Sequence, residues 1–107
     1  MKILLSKYKF KSNDDMLYSL YNKIKGDYHF NNKDFDNAIF FYIKSLKYYN
    51  KYIDILIDAK ISLIECYKMI NMQSKMNDIL ISVNKDDLSL QSKNKFELYV
   101  NSLQVIN

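Results

Sequence analysis

His29 and Cys66 are the only histidine and the only cysteine in the sequence, and between them they hold most of what chemistry it could offer. A thiol beside an imidazole can act as nucleophile and base, and with further donors the two could hold zinc. Neither has a second donor of its kind, and no H-E-x-x-H helix or glycine-rich phosphate loop accompanies them. Cys66 therefore reads as a small buried hydrophobe, and His29 as a packed or partly exposed imidazole within a helix. The chain is expected to be no enzyme and to need no cofactor or metal. A lone cysteine excludes an internal disulfide and suits a reducing compartment, so a cytoplasmic location is expected.

Charge gives the next class to weigh. The 107 residues include 16 basic side chains, all lysine, against 12 acidic ones, for a net charge of +4. A lysine-rich nucleic-acid-binding protein is thus the alternative from a different class. It is disfavoured because lysine alternates with aspartate and forms no block. The Tyr and Phe residues also recur at helical spacing, which suits core packing better than base stacking. The heavy use of Lys, Asn, Ile and Tyr is that of an AT-rich genome. No apolar run approaches the roughly 20 residues of a membrane span, so no membrane partner is expected. The opening MKILLSKYKF is too short in its apolar part for a signal peptide, and residues 1–12 read as an N-terminal arm ahead of a single domain over 13–107.

Absence of proline and a single glycine leave helices uninterrupted, and the spacing predicts an all-α chain. SNDD at 12–15 caps a first helix ending near Asn31, with Met16, Leu17, Leu20, Tyr21, Ile24 and Tyr28 as its buried face. Asp34 caps a second, whose stripe is Phe35, Ala38, Ile39, Tyr42, Ile43 and Leu46 and which continues to about Tyr49. A third runs from about Lys51 to Ile70 through Ile53, Ile57, Ile61, Ile64 and the pair Tyr67 and Lys68, and stops at Asn71. A fourth opens at Ser74 with Met76, Ile79, Leu80 and Val83 inward. The last, at about 87–105, carries Phe96, Tyr99, Val100 and Leu103. Short turns make consecutive helices antiparallel neighbours, hence a row of hairpins.

The single glycine falls inside the first helix, where it costs roughly 1 kcal/mol relative to alanine. Gly26, Phe30, Phe35, Ala38, Ile39, Tyr42 and Leu46 closely resemble a tetratricopeptide repeat (TPR), with Ala38-x3-Tyr42 matching the family's A-x3-F. Asn22, Lys25, His29 and Asn50 stand where the family has tryptophan, leucine, tyrosine and proline. A weaker copy has Leu63, Tyr67, Met76 and Leu80 at the same spacings with Ile64 in the glycine's place, 38 residues on rather than about 34. The resemblance implies a short right-handed α-solenoid: repeat 1 at about 17–50, repeat 2 at about 52–85, and a closing helix. It also explains the glycine as half of a close crossing with Ala38, so that leucine at position 26 should overpack while alanine should be tolerated or even stabilising.

In that family the first helix of each hairpin lines a concave groove. The resemblance implies a groove of Lys23, Asp27, Phe30 and Asn31 from the first hairpin and Asp58, Ser62, Glu65 and Met69 from the second. The expected function is a non-enzymatic interaction module or complex subunit, binding a peptide or helix of a protein partner in the groove or through its apolar flanks. The alternative within binding is a co-chaperone adaptor for the acidic tail of a heat-shock chaperone. Lys23 matches that subfamily's carboxylate clamp and Lys93 and Lys95 could supply its basic pair, but Asp27 and Ser62 replace its asparagines and Asp27 and Glu65 oppose an acidic ligand. Aromatic residues at both ends of so short an array predict self-association as a homo-oligomer.

Overall fold

The computed structural model describes residues 14–106, the side chains of 102–106 excepted; the predicted N-terminal arm lies outside the described residues. Among the described residues five α-helices follow one another: α1 (Asp15–Asn31), α2 (Phe35–Ser45), α3 (Ile53–Met69), α4 (Gln73–Ser82) and α5 (Leu90–Ile106). Among the described residues there is no strand. A 3-10 turn at Leu46–Tyr48 prolongs α2 and another at Lys85–Asp87 precedes α5. α1 packs on α2, α2 on α3 and α3 on both α4 and α5, which makes two successive antiparallel hairpins and a final helix.

The two hairpins repeat each other closely. α1 and α3 both have 17 residues, displaced by 38 along the chain. Each is followed by the same turn: Lys33 and Asn71 take positive φ of 59° and 61°, in the left-handed region. The next amide then reaches back to the helix, Asp34 N–H to the His29 carbonyl at 2.9 Å and Met72 N–H to the Tyr67 carbonyl at 2.8 Å. These bonds satisfy carbonyls that a helix end leaves unpaired. Asp34 then caps α2, accepting from the Asn37 amide at 3.4 Å and its side-chain nitrogen at 2.7 Å, and these bonds hold its carboxyl below the usual aspartate range.

The core has two parts. Ala38, Tyr42, Ala59, Leu63, Ile64, Cys66, Tyr67 and Met76 form the larger, with Phe30, Phe35, Ile39, Leu46, Leu80 and Tyr99 packed around it. Ile57, Val83, Leu88 and Phe96 form a smaller one that fastens α5 to α3. Asp54, near the start of α3, accepts from the Ser89 amide at 3.2 Å and the Ser92 hydroxyl at 3.1 Å, which pins the beginning of α5 and keeps the Asp54 carboxyl below its ordinary range.

The expected face of α1 is corrected. Met16, Leu17, Ile24 and Tyr28 are exposed, and the helix buries Ser19, Asn22 and Gly26 instead. The reason is the glycine: a side chain built there would place Cβ 2.6 Å from Cδ1 and Cε1 of Tyr42, so the ring lies flat against the backbone of α1. That contact rotates the apolar stripe outward, and it also overturns the expectation that alanine is tolerated. Carbon atoms in contact normally sit about 3.5–4.0 Å apart. On α2, Ile43 is half exposed rather than part of the buried stripe. α3 buries more than predicted, Leu56, Ala59 and Lys60 included, because it is the central helix with neighbours on three sides.

Candidate protein-binding surfaces

Asp58, Ser62, Glu65 and Met69 recur along α3 at spacings of three and four, so they share one face of that helix. Met69 is 57 % exposed there, whereas both carboxylates are committed to α5: Asp58 accepts from the Lys95 ammonium at 2.5 Å, and Glu65 from the Tyr99 hydroxyl at 2.7 Å. On α1, Lys23 and Asp27 pair with each other at 3.0 Å, and Asp27 also accepts from the Tyr42 hydroxyl at 2.5 Å. The Ser62 hydroxyl of α3 acts on that same phenol in the direction that lowers its pKa, so α1, α2 and α3 all bear on it. Burial raises the Tyr42 phenol, and the Asp27 carboxylate raises it further; burial and then Glu65 do the same to Tyr99.

Asp27, Asp58 and Glu65 thus tie neighbouring helices together, whereas Lys23 pairs within α1 and Ser62 lies between Asp58 and Glu65 on the face of α3. Phe30 is not among them: it packs into the larger core, edge-on to Phe35 at 5.6 Å. Asn31 is exposed at the last turn of α1. The residues assigned to hairpin packing, Gly26, Ala38, Tyr42, Tyr67 and Met76, are all buried, with Leu80 partly so. Among the described residues no group of three His, Cys, Asp or Glu could hold a metal, and no helix is long and apolar enough to cross a membrane. Cys66 is fully buried and its thiol is pushed up to about 12 by that burial, which leaves it without thiolate at neutral pH.

A second surface was not singled out in the sequence. Tyr28, His29, Phe41 and Phe40 form a chain of rings that crosses from α1 to α2, and neither core cluster contains them. The available signal was Phe40 and Phe41, since the α2 stripe has no place for either. Lys60 is the buried cation among the described residues, at 7 % exposure; it donates to the Ser82 hydroxyl at 2.7 Å and lies 3.9 Å from the centre of the Tyr49 ring. Its burial lowers its pKa. Comparison with protein-family models, with curated proteins and with solved structures finds no match to this chain.

Proposed function

We propose that the chain is a non-enzymatic protein-interaction module, a short stack of TPR-like hairpins that joins an assembly through the ends of its row of helices. The carrying observation is the apolar surface left outside: Ile24, Tyr28 and Phe40 on the first hairpin and Leu98 on α5 are 62, 56, 54 and 71 % exposed. Contiguous exposed apolar surface marks interaction sites, and a helical array needs its end faces covered. The TPR-like reading rests on the 38-residue repetition of helix, turn and packing positions. Peptide binding in the groove is the second reading, favoured by exposed Met69 on the same face of α3 as Ser62. The co-chaperone alternative is weakened because Lys23, its clamp cation, is already neutralised by Asp27. The nucleic-acid alternative has little support from aromatic rings that stack on one another. The cytoplasmic assignment rests on the sequence alone.

Affinity capture from native extract, with the full chain and its Phe40→Ser, Leu98→Ser and Met69→Ser variants as baits, tests this. A protein retained by the unaltered chain and lost from either end variant supports the reading. Loss from Met69→Ser alone moves binding to the groove, and identical retention by all four baits refutes it.

A further inference from the structure

The ring chain on the first hairpin is spaced for contact throughout, with centroids 5.2 Å apart from Tyr28 to His29, 5.3 Å from His29 to Phe41 and 5.1 Å from Phe41 to Phe40. Lysines border it. The Lys25 ammonium lies 5.3 Å from the centre of Phe41 and that of Lys44 5.2 Å from Phe40. Further along the hairpin Tyr18 and Tyr48 pack edge to face at 6.0 Å, with Lys47 within 5.8 Å of both centres. Among the described residues none of these three lysines forms an ion pair, whereas Lys23, Lys51 and Lys95 each do. Two carboxylates lie near it, Asp34, 3.5 Å from His29 Nδ1, and Asp36, exposed on α2 one turn before Phe40, so the lysines outnumber them.

Position on the helices says what shape this surface fits. Ile39 and Leu46 pack into the core that α2 shares with α3, and Phe40, Phe41 and Lys44 lie around the helix from them. The inner flank of the pair α1 and α2 receives a helix, α3, and the outer flank presents the same two antiparallel helices with Tyr28 and Phe40 still 56 and 54 % exposed. We propose that this outer flank docks an amphipathic helix of another protein, one whose apolar stripe is bordered by aspartate and glutamate. The proposal rests on the interaction-module reading and adds the end used and the chemistry of the partner.

Charge complementarity chooses that occupant over the others. A second copy meeting this face with its own would set Lys25, Lys44 and Lys47 against themselves. The residues before Asp14 carry Lys2, Lys7, Lys9 and Lys11 and no carboxylate, so they would add like charge. Nucleic acid would need ring faces for its bases, and Phe41 has one face stacked on His29 at 1° between planes and a lysine nearby. Acidic side chains beside an apolar stripe would meet the lysines while the stripe covers Tyr28 and Phe40.

Panning a display library of helical peptides, acidic and basic members in equal number, against the full chain tests the proposal. The expected winners carry Leu, Ile or Phe at i, i+3 or i+4, and i+7 with Asp or Glu beside them. Lys25→Glu with Lys44→Glu should weaken them by about tenfold, Phe40→Ser by a similar factor, and Lys75→Glu on α4 not at all, each variant first shown to be folded by circular dichroism. Basic winners, winners indifferent to the lysine reversals, or no enrichment would overturn it. So would displacement of the peptides by an oligothymidylate with steep salt dependence, or peptides that bind only after Leu4→Asp with Leu5→Asp, which would make the chain's own N-terminal residues the occupant. A dimer that Phe40→Ser converts to monomer in sedimentation would likewise overturn it in favour of a second copy. Capture through Leu98 or Met69 would survive any of these failures, so the broader reading is judged separately.

Discussion

Gly26→Ala adds one methyl group at the tightest point of the fold. That carbon would sit 2.6 Å from two ring atoms of Tyr42 and 3.1 Å from a third, about 1 Å inside ordinary contact. The ring has little room to retreat, because Tyr42 is fully buried and its hydroxyl is fixed on Asp27 at 2.5 Å. Either α1 and α2 part or the hydroxyl leaves its carboxylate. Overpacking costs about 1–3 kcal/mol and a lost bond to a charged group about 1.5–3, against roughly 1 kcal/mol gained from helix propensity. A net loss of about 1–3 kcal/mol is expected, read as a lower urea midpoint with unchanged slope and a melting temperature lower by roughly 5 °C or more. The same substitution in a Tyr42→Leu background should be neutral or stabilising, since the ring is gone. A Gly26→Ala protein as stable as the unaltered chain would refute the flat contact and the account of why α1 turns its apolar stripe outward.

Three further outcomes follow from single contacts. Asp54 is held below its ordinary pKa, so its contribution is present above about pH 4 and lost as pH falls through its folded value; α5 should lose amide protection first on acidification, and Asp54→Asn should flatten that dependence in NMR exchange measurements. Lys60→Met keeps the aliphatic stem and removes a desolvated charge that has no carboxylate partner among the described residues, so thermal melts should show unchanged or higher stability, by up to about 1 kcal/mol. A peptide ending in acidic residues should bind poorly to the unaltered chain in titration calorimetry, and Asp27→Asn should improve it several-fold by releasing Lys23, each close surface pair being worth about 1 kcal/mol.

The helices were legible because their punctuation is local. Asp34 as a cap and Asn71 as a stop act within one turn of their own position, and both hairpin turns lie where the polar breaks stand in the sequence. The face of α1 was not legible, since period alone favours the stripe through Leu17, Ile24 and Tyr28, and only the ring of Tyr42 lying on Gly26 shows that the polar side turns inward. The groove residues could be placed on α1 and α3 from spacing, but their ties to Tyr42, Lys95 and Tyr99 depend on how three helices meet. The ring chain was hidden for the same reason: His29 and Phe41 come together only when α2 folds back on α1.

Photo-crosslinking in the cells that make the chain asks outright whether another protein binds the outer flank of the first hairpin. A photoreactive phenylalanine replaces Tyr28 or Phe40 on the flank, Met69 in the groove or Asn77 on α4. Adducts of one defined mass are expected from positions 28 and 40 and none from 77. Adducts from position 69 alone, or from no position, would contradict it.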